Sequence, residues 1–597
     1  MRPRLLENVR YVDSEGAAYV QGDHGACTIS GEHAYAWLSR LAPLLTGEHT
    51  FKELTRSLSA ERQALVWDLV TALAKHRFVV DVGEEQPHGL SPDEVETYAP
   101  EIAFIRYGFD SAERRFERVR EARVLLVGSG PVLAALLRTG LNSGWRSVRV
   151  ADAGAVPTDL AACLAAARRD GDQTVLSVSL CDLDQAQIWD ETDVVLQVHE
   201  GERDDALLDL AARCARHQTA LGQVWVRGDE AWLSRAGLFD ALSYWRRLAG
   251  LAHRPSGDGE WLSGAVPEVL AAQLALSCFE HLTEMAPMPA RPELARVDLR
   301  TLDTRSHLVH PCLWADGPDV SLPDAAACEP VTAEDLLERV AEYVDARTGV
   351  LGLLDEQDLA QMPWAVCRAI LSDPLGALPA WPSAASVIGW GADRSSARLR
   401  TVLAALSSYQ ALAAAGPASS PYVAPVGVAG GLSWPQAVAA GLAQQCEAVL
   451  RQVGVADFPA VAPLADAQVT HLVELLETAG EQVRIHDLGG VLGVPAYAVA
   501  GAVPACASTP VAAMRFALER ALLAWQSRTE RQPDYADVPV RWAGDDCPDL
   551  ESAKTFAKEM TAALTRAGRT PRVQPLASDS EVARLLPFTV YVAVDGD

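Results

Sequence analysis

The chain lacks any apolar run that could cross a membrane. A membrane-spanning helix needs roughly 18–20 consecutive apolar residues, and the sequence contains no such run. The first seven residues, MRPRLLE, also lack the apolar core of a secretory signal. The eleven cysteines form no Cys-x-x-Cys pair, which argues against a zinc ribbon or a disulfide framework. We therefore expect a cytoplasmic chain that binds neither a metal nor a membrane.

Basic residues are also scarce. The formal net charge is −28 at pH 7, which disfavours nonspecific binding to nucleic acid or anionic lipid because phosphate contacts need a positive surface. Taken alone, the excess of acid implies only that the protein stays soluble. Hydrophobic residues make up 49% of the chain and charged residues 22%, which is typical of a globular protein. Its length favours about three or four domains.

Residues 1–85 predict a winged helix-turn-helix module. A first helix is expected from about residue 31 to 45, Thr50 and Glu53 predict a capping box on a second, and Ser59 should cap a third. Alternating apolar residues between Gly- and Asp-rich turns predict strands at 9–12, 17–21, 26–29 and 78–82. The third helix should turn a helical stripe of apolar residues toward the core, namely Leu65, Val66, Leu69, Val70 and Leu73.

The third helix lacks the cations of a DNA-reading helix, because residues 60–76 carry only Arg62 and Lys75 against Glu61 and Asp68. This disfavours a winged-helix regulator. The order of elements resembles the leader-peptide recognition module of peptide-modifying enzymes. The resemblance implies that a precursor peptide adds as a strand beside the third strand and the third helix, so that backbone hydrogen bonds give affinity and alternate side chains give specificity. The implied leader-binding positions are Ala26, Cys27, Thr28, Ile29, Ala64, Trp67, Asp68, Thr71 and Lys75. Alternatively, Trp67 only packs on a neighbouring domain.

Residues 99–315 contain a strand, a glycine turn, a helix and a second strand. The first strand, at 123–127, runs into Gly128-Ser129-Gly130-Pro131, and the second strand, at 147–151, ends at Asp152. This order outlines a dinucleotide-binding βαβ unit. It resembles the ThiF family of ATP-dependent adenylating enzymes.

The departures from the ThiF family fall on residues that would bind ATP or its metal. Leu133 stands at the third glycine position, Gly154 at that of a second acid, and Glu200-Gly201 where the family has Asp-Asn. The family's Ser-Asn-Leu-x-Arg-Gln run would lie near 158–160, where its asparagine and arginine are missing. We expect no adenylating activity, although an anion could still lie on the backbone amides at the helix start.

The end of this region resembles ThiF-like partner proteins from thiazole and oxazole peptide clusters. The resemblance lies in residues 297–302 and in His307 and His310-Pro311-Cys312. Some relatives bind zinc near this point through paired cysteines. Because the chain offers only Cys312, we predict no metal.

Residues 325–597 resemble YcaO-type ATP-dependent cyclodehydratases. In that family a Gly-x-Gly turn leads into a helix ending Glu-Ala-(apolar)-Glu-Arg-Tyr, and the two glutamates help to hold the magnesium that carries ATP. The matching stretch here is 389–409, and it places Ala404 and Ser407 at the glutamate positions and Ser408 at the arginine. Further matches at 347–352, 479–495 and 524–528 follow in the same order. Alternatively, an ordinary alanine-rich helix matches by chance.

A third acid of the YcaO-like site is replaced as well. Aligned on the Gln-Ser-Arg ending, the family's glutamate falls at Leu523. Alanine and leucine offer no ligand atom, and a neutral serine hydroxyl is a poor ligand for a hard cation. Glu519, one turn away, would be a single carboxylate, which is too little for magnesium and triphosphate. The stretch 413–434, rich in Ala, Gly, Pro and Ser, is expected to be a surface loop.

The three resemblances predict a multidomain α/β chain. They divide it into a winged-helix domain at 1–85, a Rossmann-like ThiF-type domain at 99–315 without an intact ATP site, and a degenerate YcaO-like domain at 325–597. They imply a non-catalytic subunit that binds a precursor leader and presents Cys, Ser or Thr to a separate YcaO subunit during thiopeptide or thiazole-oxazole peptide biosynthesis. ATP and magnesium would bind that subunit, and a homodimer through either larger domain is also allowed. The alternative is a divergent adenylating or cyclodehydrating enzyme with its own nucleotide site.

Overall fold

The computed structural model divides the chain into two compact units. Unit 1 comprises Met1–Phe239, Pro255–Ala290 and Ala295–Arg305, and unit 2 comprises Asp240–Arg254, Arg291–Leu294 and Ser306–Asp597. The structure describes residues 1–595 except 24, 32, 84, 155–158, 202–204, 239, 252–260, 286–290, 313–325, 379–385, 416–424, 501 and 530–548. Within these described residues, no helix is long and apolar enough to cross a membrane.

Unit 1 begins with the predicted small module. Its elements are β1 (Pro3–Leu5), β2 (Arg10–Ser14), β3 (Ala17–Gly22), β4 (Gly25–Ser30), α1 (Ala34–Leu41), α2 (Phe51–Leu54), α3 (Ala60–Lys75) and β5 (Val79–Asp81), with a 3-10 turn at Ala42–Leu44. The strands β2, β3 and β4 form one antiparallel sheet in that order. The strand β1 is an addition to the predicted set, and it pairs with β5.

The helix starts of this module follow from local chemistry. Thr50 and Glu53 form the predicted capping box, in which each side chain accepts a hydrogen bond from the other residue's backbone N–H. Ser59 lies at the predicted N-cap of α3, but its side chain makes no capping hydrogen bond. Four of the five predicted core residues of α3 are buried. Leu65 is 55% exposed, so its assignment to the core was wrong.

The rest of unit 1 is built on an eight-stranded sheet. The sheet order is β13-β12-β11-β10-β9-β6-β7-β8, and the pairs β7–β8, β6–β7, β6–β9 and β9–β10 are parallel. The elements in chain order are α4 (Pro92–Thr97), α5 (Ala99–Gly108), α6 (Ala112–Glu121), β6 (Arg123–Gly128), α7 (Gly130–Asn142), β7 (Ser147–Asp152), α8 (Leu160–Ala167), β8 (Thr174–Ser177), α9 (Ala186–Asp190), β9 (Val194–Glu200), α10 (Asp205–His217), β10 (Ala220–Arg227), β11 (Glu230–Ser234), α11 (Ala241–Ala249), α12 (Val266–Leu282), β12 (Glu293–Asp298) and β13 (Thr304–Leu308). Of these, α11 belongs to unit 2. The βαβ unit predicted around Gly128 is therefore present as β6-α7-β7.

Unit 2 combines three small sheets with long helices. The sheets have the orders β14-β15-β16, β17-β23-β22 and β18-β19-β20-β21. Besides α11, the elements of unit 2 are α13 (Ala333–Val340), β14 (Leu351–Asp355), β15 (Ala365–Leu371), β16 (Ser386–Gly391), α14 (Arg394–Ala415), β17 (Val428–Gly430), α15 (Trp434–Arg451), β18 (Ala460–Val461), α16 (Ala467–Thr478), β19 (Ile485–Asp487), α17 (Gly489–Leu492), β20 (Ala496–Val499), β21 (Ala505–Cys506), α18 (Pro510–Thr529), α19 (Leu550–Arg566), β22 (Pro571–Pro575), α20 (Ser580–Leu585) and β23 (Thr589–Val594).

Two local expectations for unit 2 were wrong. Residues 413–434 are not one surface loop: α14 continues to Ala415, β17 pairs with β23, and α15 begins at Trp434, while 416–424 lie outside the described residues. Gly389 and Gly391 belong to the end of β16 rather than to a turn. A Cβ at Gly391 would lie 2.7 Å from the Cβ of Ser396, so this glycine allows β16 to approach α14 closely.

Candidate functional site

The strand β4 has one edge that no described residue pairs with. It ends the sheet β2-β3-β4 and pairs only with β3. The N–H of Gly31 donates to the carbonyl oxygen of Gly16 at 3.0 Å, and hydrogen-bonded positions recur at every second residue of an antiparallel pair. Ile29 and Cys27 therefore bond to β3. The backbone groups that face the free edge are those of Ala26, Thr28 and Ser30.

A groove of about 470 Å³ lies beside this strand. The helix α3 supplies one wall, because residues three and four apart share a helix face. The end of β4 and the start of α1 supply the rest. Most of the lining is apolar, with one carboxylate and one imidazole. The lining residues are Ile29, Ser30, Gly31, His33, Ala34, Trp37, Leu65, Val66, Asp68, Leu69 and Ala72.

The structure brings only some of the predicted leader-binding residues to the groove. Ile29 and Asp68 line it directly. Ala26 and Thr28 are exposed on β4, and the half-buried Cys27 packs against the module's core. Ala26 and Thr28 therefore belong to the free strand edge and Cys27 to the core face of β4, and none of the three lines the groove wall.

The other predicted positions on α3 lie outside the groove lining. Ala64, Thr71 and Lys75 do not contact it. Trp67 is 45% exposed and packs edge-on against Phe51 of α2, with ring centroids 4.9 Å apart. Because Trp67 is two residues from Leu65, it points to another side of the helix.

Sequence reasoning missed Leu65, Trp37 and His33 as groove residues. The helical spacing of Leu65 carried no signal of exposure, because periodicity shows a helix face but not what covers it. Trp37 belongs to α1, and nothing local to the sequence indicates that it would face α3. A groove wall built from two helices and a strand is a tertiary feature.

The glycine turn of unit 1 lies at the switch point of the large sheet, between the parallel neighbours β6 and β9. Ligands of such sheets bind in the crevice at this point. Here the side chain of Glu200 lies against the turn: a Cβ at Gly130 would be 2.6 Å from its Oε1 atom. Burial raises the pKa of Glu200. The carboxyl group of Glu200 thus lies near the helix start, where the sequence analysis allowed a bound anion.

The remaining positions compared with the ThiF family make structural contacts within unit 1, as the following residues show. Gly128 has a φ of +144° and lies directly against the carbonyl oxygen of Val198, so it serves the close approach of two strands. Asp152 accepts a hydrogen bond from the N–H of Gly154 at 2.8 Å. Leu133 is fully buried in the core of unit 1. The ThiF family's Ser-Asn-Leu-x-Arg-Gln run was compared with residues 158–160, and residue 158 lies outside the described residues.

The YcaO-like acid positions of unit 2 are occupied by packed or internally bonded residues. The hydroxyl of Ser407 donates to the carbonyl oxygens of Leu403 at 2.8 Å and Ala404 at 3.0 Å, so it bonds to its own helix. Leu523 is fully buried. It packs in an apolar cluster with Leu359, Val366, Ile388 and Trp390. Within the described residues, no group of three or more His, Cys, Asp or Glu side chains could hold a metal ion.

Tyr409, which ends the YcaO-like signature, has a packing role in unit 2. Its hydroxyl donates to Asp579 at 2.7 Å, and Arg247 of α11 forms an ion pair with the same carboxylate at 2.8 Å. All three side chains are fully buried, and burial raises the pKa of Tyr409 well above its usual value. The signature tyrosine therefore joins three segments that are far apart in sequence.

Comparison with known proteins shows the fold. No family model matches the sequence, and no curated protein matches it. The fold is similar to that of a heterocyclase solved in complex with substrate and cofactor, with a TM-score of 0.55, 13% identity, and coverage of 100% of this chain and 95% of that chain. The heterocyclase TruD matches with a TM-score of 0.49, 14% identity and coverage of 100% and 94%. MccB of E. coli matches with a TM-score of 0.38 and 12% identity, and the match covers 52% of this chain and 94% of MccB. By the first of these comparisons, the chain is similar in fold to a heterocyclase along its whole length.

Proposed function

We propose that this chain is the non-catalytic, leader-binding partner of a separate YcaO-type cyclodehydratase. The observation that carries the proposal is the free edge of β4 beside the apolar groove. An extended peptide can add to such an edge, gaining affinity from backbone hydrogen bonds and specificity from alternate side chains. The exposed Leu65 supports this role, because an apolar side chain in a groove gains from being covered.

The fate of the acid positions supports a non-catalytic role. In the YcaO resemblance, the carboxylates that help to hold magnesium fall at Ala404, Ser407 and Leu523. None of these can coordinate a hard cation well, and Leu523 is enclosed by apolar side chains. A separate subunit would then bind ATP and magnesium and convert Cys, Ser or Thr of the peptide core into azolines.

Tethering explains why such a subunit would be useful. Once the leader is bound, the core of the same peptide meets the catalytic subunit as a linked rather than a free reactant. Flexible linkers typically give effective concentrations on the order of millimolar. The expected products are thiazole- or oxazole-bearing ribosomal peptides, with thiopeptides as the favoured subclass.

The test of leader capture compares two exposed apolar residues of α3. Leu65→Glu places a charge in the groove, whereas Trp67→Ala changes a residue outside its lining. The labelled leader of a precursor peptide encoded beside this chain is titrated with each variant by fluorescence anisotropy. We expect Leu65→Glu to weaken binding at least tenfold and Trp67→Ala to change it little. Equal binding by Leu65→Glu and the unmodified chain would refute capture in this groove.

A second measurement separates this proposal from the alternative of an enzyme with its own nucleotide site. The purified chain should show no magnesium-dependent ATP hydrolysis, and hydrolysis should appear only when the YcaO subunit is added. Intrinsic hydrolysis that Glu519→Gln or Asp152→Asn abolishes would favour the enzyme.

A further inference from the structure

The groove beside β4 contains a single carboxylate, that of Asp68. The Asp68 side chain is exposed and makes no hydrogen bond or ion pair with any described residue. It lies one turn from Leu65 and Ala72, so the three share a face of α3. The only other titratable lining group is His33. The groove therefore presents apolar surface next to one negative charge.

The register of β4 determines which side chains of an added strand reach this surface. Cys27 and Ile29 face the module's core, on the side of the sheet where α3 packs. Residues directly opposite each other in paired strands point to the same face. The leader residues opposite Cys27 and Ile29 would therefore point toward the groove. These two leader residues are separated by one residue whose side chain faces solvent.

This inference rests on the proposed function. We propose that Asp68 selects extended leader segments in which two aliphatic side chains, two residues apart, are flanked by a lysine or arginine on the same face. The aliphatic side chains would contact Leu65 and Leu69, and the cation would approach the Asp68 carboxylate. An acidic residue at the flanking place would be repelled by the same carboxylate. Asp68 would thus set the charge preference of the groove.

The size of this preference follows from the exposure of the pair. Ion pairs at an exposed surface are weak, and like charges repel by similar amounts. Exchanging a cation for an anion in the peptide changes the sign of the interaction, so the two effects add. We expect the affinities of the lysine and glutamate peptides to differ by about three- to tenfold at low ionic strength, and salt should reduce the difference.

The test uses three synthetic peptides, Xaa-Ser-Leu-Ser-Leu-Ser-Xaa, in which Xaa is Lys, Gln or Glu. The flanking residue at both ends keeps the test valid for either strand direction. Binding of fluorescein-labelled peptides to the full chain at pH 8 should follow the order Lys, Gln, Glu. Asp68→Lys should invert that order, and Asp68→Asn should flatten it. The control is Glu61→Lys, which makes the same charge change on the exposed start of α3 outside the groove, and it should leave the order unchanged.

Four outcomes would overturn the inference: an unchanged order in Asp68→Lys, an inverted order in Glu61→Lys, no binding of any peptide to the unmodified chain, or equal binding of all three peptides. Equal binding of all three peptides would remove the role of Asp68 while leaving leader capture intact. Leader capture itself fails separately, through unchanged leader binding by Leu65→Glu.

Discussion

Restoring a carboxylate at the third YcaO-like acid position should damage unit 2 rather than rebuild a metal site. Leu523 is fully buried in an apolar cluster that includes Ile388 and Trp390. Buried glutamates without a partner can reach pKa values of about 8–9, because burial disfavours the charged form. At neutral pH the Leu523→Glu side chain would therefore be largely protonated, and the cost of its burial would rise with pH.

The magnitude follows from proton linkage. An unfolded glutamate has a pKa of about 4.3. If the folded value is raised, the folded state holds the proton more tightly, and stability falls as pH increases between the two values. The slope is about 1.4 kcal/mol per pH unit for one group. Between pH 5.5 and pH 8, Leu523→Glu should lose roughly 3 kcal/mol of unfolding free energy beyond any change in the unmodified chain.

The assay is thermal unfolding at both pH values, with Leu523→Gln as the control. Glutamine has nearly the same size and is polar but cannot titrate, so its cost should not depend on pH. We expect the melting temperature of Leu523→Glu to fall between pH 5.5 and pH 8 while that of Leu523→Gln follows the unmodified chain. A melting temperature of Leu523→Glu that is independent of pH, or that rises on addition of magnesium and ATP, would refute this reasoning. A rise of the melting temperature on addition of magnesium and ATP would mean that the position is still open to a cation.

Three further changes test other features of the fold. Asp579→Asn should reduce the unfolding free energy by about 3–5 kcal/mol, because it leaves the buried Arg247 without its counter-ion; denaturant unfolding measures this. Burial alone would raise the pKa of Asp345, but hydrogen bonds from an imidazole and two backbone amides bring it to about 2. Since a lowered pKa stabilises the folded state above the unfolded value, that stability should be lost as pH falls from about 4 toward 2, and Asp345→Asn should lose less in an acid titration of the fold. Gly130→Ala should be destabilising because its φ is +81° and its Cβ would meet Glu200; Glu200→Ala should relieve part of that loss in a double-mutant cycle.

Much of the N-terminal module could be predicted because its signals are local. The capping box of Thr50 and Glu53 needs only residues three apart, and it forms as expected. The strand at Val428–Gly430 was missed for the opposite reason. It pairs with Thr589–Val594, about 160 residues later, and its own Ala- and Gly-rich sequence carries no alternation of apolar and polar residues.

In the candidate site, too, some features could be predicted from the sequence and others could not. The strand edge and Asp68 could be placed from the order of elements, whereas Leu65 was assigned to the core because periodicity shows a helix face but not what covers it. The wall contributed by Trp37 depends on how α1 packs. At Leu523, alignment identified the position, but only packing shows that the surroundings have become apolar.

The division of the chain between the two units has a consequence for how the gene could be split or joined. Unit 2 takes Asp240–Arg254 and Arg291–Leu294 from the middle of the sequence, and Arg247 in the first of these segments is fully buried against Asp579 near the chain's end. A single cut near residue 320 would therefore leave one fragment with a buried arginine and the other with its aspartate. Gene fission at that point would yield two damaged products. Selection should accordingly keep both units in one reading frame, even if only the first binds a peptide.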